Sequence, residues 1–155
     1  MAVVNAAITW LNTDATLVAA FGGGIDQLRG RLAGMSVDAA PYIVVAPSTS
    51  QRADAAQRSD GFTVQIQITA VDRAERGLHN LYVAEQRLYG DANLLAVTNG
   101  APTYGLHMKK LTLGADANGW LASTGFCNGG EFDQPSTDEL TFTCFFDVHI
   151  SRVPA

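Results

Sequence analysis

Apolar residues recur at helical spacing over the first twenty positions: Val4, Ala7, Ile8 and Leu11, then Ala15, Leu17, Val18 and Phe21. The pattern predicts one helix over residues 3–20, kinked where Thr13 and Asp14 offer a second N-cap. Gly22-Gly23-Gly24 ends it, because a glycine costs a helix interior about 1 kcal/mol and accepts positive φ. These glycines do not form a phosphate loop, since no strand precedes them and no GxGxxG spacing is present. Pro41 then introduces the β-branched run Tyr42-Ile43-Val44-Val45-Ala46, a buried strand opened by a proline in the first position that a strand tolerates.

Residues 47–61 are polar without core periodicity and predict a long surface connection. In the next strand Phe62, Val64, Ile66 and Ile68 alternate with Thr63, Gln65, Gln67 and Thr69, the period of two expected when one face is buried. Helical spacing returns over 73–89 through Leu78, Leu81, Tyr82, Glu85 and Leu88, with Asp72 as the expected N-cap and Gly90 as the stop. Residues 104–113 predict a strand in which a bulge near Lys109 and Lys110 keeps both Leu106 with Met108 and Leu111 with Leu113 inward. A return strand is expected over 120–126, a Gly-rich acidic loop over 127–138, and a long last strand with Leu140, Phe142, Cys144, Phe146, Val148 and Ile150 on one face. The expected architecture is α+β: two helices packed on one face of a mostly antiparallel sheet of four to five strands, in one domain over residues 1–155.

Composition narrows the function. Ten Lys plus Arg against fifteen Asp plus Glu give a net charge of −5, dispersed rather than blocked, which disfavours a dedicated nucleic-acid binder. Charged residues make up 16% and apolar ones 47%, so disorder is excluded and some apolar surface is available to partners, as in a self-assembling subunit. No apolar run is long enough for a membrane span and the N-terminus lacks a signal-peptide pattern, so the chain reads as made in the cytosol. Cys127 and Cys144 form neither a disulfide framework nor a CxxC zinc site, and both are expected reduced.

The best catalytic candidate is Asp147 with His149, two apart on one strand, joined by His107 as a general base or metal set. No HExxH or similar spacing supports it, and isolated Asp and His on a polar strand face commonly have no role. Ser123, Ser136 and Ser151 lack a GxSxG setting, His79 reads as solvated, and nothing beside Cys127 lowers its pKa. The expectation is a chain that is not an enzyme and has no catalytic, metal or cofactor site.

The run from Ile8 to Ile25, with Asp14 before Leu17-Val18 and then Phe21-Gly22-Gly23-Gly24-Ile25, followed by Pro41-Tyr42-Ile43-Val44-Val45, resembles the opening of the tail-completion, or tail-terminator, proteins of long-tailed bacteriophages and gene-transfer particles. The similarity continues through the alternating strand 62–70, the helix 72–89 and the late Phe146-Asp147-Val148-His149-Ile150. It covers most of the chain and departs at 119–138, longer than that pattern's final hairpin.

The resemblance implies a structural virion protein that forms a homo-oligomeric, hexameric ring at the tail neck. Such a ring caps the head-proximal end of the tail tube and joins it to the head-tail connector or stopper. The subunit would be made in the bacterial host cytoplasm, need no cofactor or membrane, and meet DNA only as the genome passing through the lumen, where acidic groups would repel its phosphates. Ring closure needs subunit contacts, expected from Arg52, Asp54, Arg58 and Asp60 in the 47–61 connection and from Lys109, Lys110, Glu131 and Asp133. The alternatives are another neck component, such as a head-closure or connector ring protein, or a small cytosolic α+β enzyme or ligand-binding domain.

Overall fold

A computed structural model describes residues 2–27, 40–52, 61–90, 104–106, 109–113 and 120–152. The chain runs through helix α1 (Ala2–Leu11), helix α2 (Ala15–Ala20), strand β1 (Ile25–Gln27), strand β2 (Tyr42–Arg52) and strand β3 (Gly61–Arg73). A 3-10 turn at Ala74–Arg76 leads to helix α3 (His79–Tyr89), and strands β4 (Lys110–Leu111), β5 (Trp120–Ser136) and β6 (Glu139–Arg152) complete the fold. The six strands lie in the order β1-β2-β3-β6-β5-β4, and all neighbours are antiparallel except β1 and β2. This is the expected α+β architecture, extended by two short edge strands.

The alternation in β3 fixes its register. Val64 stands opposite Val148, Ile66 opposite Phe146 and Ile68 opposite Cys144, so one set of side chains from each strand meets the helices. Ile66, Ile68, Phe142, Cys144, Phe146 and Val148 are all fully buried, and Val64 and Leu140 pack at the margin of the same core. The helical stripes close over them with Val4, Ala7 and Leu11 from α1, Leu17 from α2, and Leu81, Ala84 and Leu88 from α3. A one-residue slip of β3 would turn this set to the other face, which is why the register is strongly specified. Cys144 is a buried free thiol acting as a small apolar residue.

Five expectations are corrected. The first helix is two helices, because Asp14 takes an extended backbone (φ −83°, ψ 102°) and accepts from Leu17 N at 3.1 Å, a true N-cap in mid-stripe. Val18 consequently lies outward, 41% exposed. The polar residues after Ala46 are not all connection: β2 continues through Pro47 to Arg52, with an irregular register between these two residues, and only 53–60, outside the described residues, separates it from β3.

Residues 127–136 are strand, not loop, because β5 pairs with β6 down to Ser136 opposite Glu139 and takes up its glycines and Pro135 at three register shifts. Finally, 104–113 is not one strand with a bulge. Among its described residues only Lys110 and Leu111 pair; Lys109 N donates to Leu106 O at 3.2 Å, and Leu106 and Leu111 are both buried.

Asp72 is no N-cap either. It sits near the end of β3 with its side chain wholly buried, where Oδ1 accepts from Arg73 N and Arg76 Nη1 and Oδ2 accepts from Asn80 Nδ2 at 2.9 Å. The carboxylate therefore ties the strand to the helix that follows it, and the buried charge is met by donors on both oxygens.

Candidate interaction surface

Two surfaces stand out once the helices have covered one side of the sheet. The first is the opposite side of β3 and β6, which carries Thr63, Gln65, Gln67 and Thr69 against His149, Asp147, Phe145 and Thr143. Cross-strand hydrogen bonds order this face: Thr63 Oγ1 to His149 Nδ1 at 3.0 Å, Gln65 Nε2 to Asp147 Oδ1 at 3.2 Å, and the two Thr hydroxyls of 69 and 143 at 3.4 Å. Exposure rises along β6, from the nearly buried Thr141 through half-buried Thr143, Phe145 and Asp147 to the exposed His149. At the β2 side of this face, Tyr42, Val44 and Val71 with Ala40 form a small buried apolar cluster of their own.

The strand places Asp147 and His149 on one face as their spacing requires. Both bond across to β3, however, and His107 lies outside the described residues. Among the described residues no group of three or more His, Cys, Asp or Glu side chains is placed to hold a metal. His79 opens α3 in an exposed position, and Cys127 falls within β5.

The second surface is a cavity of about 210 Å³ lined by Trp10, Leu11, Thr13, Asp14, Ala15, Thr16, Arg87, Tyr104 and Gly105. Arg87, in the last turn of α3, donates from Nε to Asp14 Oδ2 at 2.8 Å, and its guanidinium carbon stands 3.9 Å from the centroid of the Tyr104 ring. Trp10 donates from its indole N–H to Gly105 O at 2.8 Å and carries the Lys109 Nζ over its ring at 3.6 Å. Each cation thus sits on an aromatic face, an arrangement that strengthens as solvent is excluded.

No known protein family, curated protein or solved structure matches this chain.

Of the residues expected to make subunit contacts, Lys109 stands over the Trp10 ring, and Lys110 lies exposed in β4. Glu131 and Asp133 are exposed near the end of β5. Arg52 ends β2, while Asp54, Arg58 and Asp60 lie outside the described residues. The described ones among these residues thus lie on three strands, β2, β4 and β5, and beside Trp10. Trp10, Arg87 and Tyr104 carry no local motif. Asp14 had one, its capping position, but its bond to Arg87 spans 73 positions and no periodicity reports it.

Proposed function

We propose that the chain is a ring-forming structural subunit of the tail-terminator kind, capping the head-proximal end of a phage tail tube and joining it to the head connector. The observation that carries this reading is the asymmetry of the sheet. One side is sealed by three helices, whereas the side formed by β3 and β6 presents rows of hydroxyl and amide groups around Phe145. A half-buried aromatic ring among ordered polar side chains is the composition of a contact surface rather than of a solvated face. From Thr63 to Thr69 and from Thr143 to His149 there is no Lys or Arg, and Asp147 is the one carboxylate. A wall of this kind offers DNA phosphate no counter-charge to bind, which suits a ring through which a genome passes.

The resemblance in chain order supplies the ring's place at the neck, and the fold agrees with the subunit class that the resemblance implies. Deletion of the gene tests the reading. Filled heads and finished tails that accumulate unjoined, and that join when the wild-type protein is restored, are the expected result. Joined particles in the deletion strain would remove the neck role.

A further inference from the structure

The strand register puts charges of opposite sign at the two ends of the sheet side that the helices leave open. Lys110 of β4 stands opposite Ser123 of β5, which stands opposite His149 of β6. Toward the other end Glu131 of β5 stands opposite Thr143, and Asp133 opposite Thr141. Directly opposed residues share a face, so Lys110, Glu131 and Asp133 belong with Thr63 and Phe145. All three charged residues are exposed, and among the described residues none is in an ion pair. Asp133 Oδ1 accepts from a neutral donor, Gln134 N, at 2.8 Å. Of the other charges in this register, Asp147 is bonded by Gln65, and Arg73 at the acidic end is paired with Glu75 at 3.0 Å.

The two ends are spaced evenly about Phe145. On β6 His149, level with Lys110, and Thr141, level with Asp133, lie four residues to either side of it, about 13 Å each way at about 3.4 Å per residue. A two-fold axis laid across the strands at Phe145 therefore brings Lys110 of one copy over Asp133 of the other, twice, and sets one Phe145 ring against its equivalent. β4 and β5 differ by one strand spacing, about 4.8 Å, which the flexible lysine stem spans. Ala40, Tyr42, Val44 and Val71 close the β2 corner of this side within the chain, which leaves the part that the axis uses, from β6 across to β4.

We propose that two copies of the chain pack open face to open face as a two-fold dimer, with Lys110 of each copy against the acidic end of the other and Phe145 on the axis. A contact made by the same patch on both copies is isologous and stops at two. The opposed charges set its register and the aromatic pair its centre. A face of four strands over the span from Thr141 to His149 presents roughly 500 Å² per copy, about 1,000 Å² in all, the size of a weak and exchangeable contact. The inference goes beyond the ring reading and does not rest on it. The dimer covers the face that reading assigns to assembly contacts, so it is the form the chain takes away from a tail, and it parts when the face is claimed there.

Sedimentation velocity over a range of concentrations tests it. The wild type is expected as a concentration-dependent balance of monomer and dimer of the 16.4 kDa chain, with less dimer at high salt. Lys110→Glu, and separately Glu131→Lys with Asp133→Lys, put like charges at both ends of the face. Each should raise the dimer Kd by at least about tenfold with unchanged circular dichroism. All three substitutions in one chain exchange the two ends and should restore the dimer, and an equal mixture of the two variants should form a heterodimer.

Variants that dimerise as well as the wild type, or a triple variant and a mixture that both stay monomeric, overturn the face-to-face contact and leave the ring reading standing. A wild type that is monomeric up to its solubility limit does the same. A wild type that sediments as a hexamer also overturns the dimer, and favours the ring.

Discussion

Arg87 and Asp14 meet at 2.8 Å, and the carboxylate that receives the guanidinium through Oδ2 also caps α2 through Oδ1. One side chain therefore starts a helix and anchors it to another. α2 has six residues, far fewer than the roughly 12–15 at which an isolated helix becomes even marginal. Its place depends on Leu17 and Phe21 in the core and on this tether.

Asp14→Ala should cost about 2–3 kcal/mol, the sum of a lost cap at about 1 kcal/mol and a mostly buried ion pair. Asp14→Asn keeps a good capping residue and Arg87→Met keeps the cap itself, so both should cost less than the alanine. Urea midpoints at unchanged slope check the ranking. An alanine variant no weaker than the asparagine one would show that the cap contributes nothing.

Ile66→Ala should destabilise by about 2–5 kcal/mol, because the side chain is fully buried opposite Phe146. Gln67→Ala, one position along and on the other side of the sheet, should cost under about 1 kcal/mol. Equal losses at the two positions would mean that the register is wrong.

Gly90 and Gly105 hold their backbones together beside the Arg87 cavity. Their φ values are 64° and 79°. A Cβ at Gly90 would overlap the Tyr104 carbonyl oxygen, and one at Gly105 would overlap Gly90 Cα. Alanine at either should cost about 2–5 kcal/mol, combining about 1–2 kcal/mol for the left-handed backbone with about 1–3 kcal/mol for overpacking. At Gly22, where added volume meets nothing within 4 Å, alanine should be far milder. Thermal unfolding of the three variants gives the comparison.

Asp147→Ala with His149→Ala tests the alternative in which these side chains act chemically. The pair bonds only to polar partners on the sheet surface where its bonds are described, so the double variant should fold and should still join heads to tails. Stoichiometric zinc in the wild type, absent from the variant by elemental analysis, would instead favour a metal-dependent activity.

The strands that could be read from the sequence are those whose two faces meet different surroundings. Val64, Ile66 and Ile68 alternate with Thr and Gln because one side meets helices and the other does not, and a period of two follows. β5 gave no such signal. Gly125, Gly129, Gly130 and Pro135 are poor strand formers, and the ladder to β6 supplies backbone bonds that outweigh them, with register shifts taking up the irregular spacing. Likewise Ser48 to Arg52 is polar at every position and announces no face, yet the strand continues.

The break at Asp14 was visible as a capping residue, whereas the length of the interruption depended on Phe21 and Leu17 turning inward together. The Arg87 cavity was hidden for a different reason. Trp10 reaches Gly105 across 95 positions and Asp14 reaches Arg87 across 73, and contacts between distant segments leave no trace in local spacing. Lys109, Glu131 and Asp133 could be selected by charge, but not placed among their neighbours.

Electron microscopy of the purified protein incubated with tail tubes lacking it tests the central claim most directly. The account predicts a ring of density at one end of each tube, the end that joins the head, and none along its length. Tubes left bare, or decorated uniformly, would contradict it.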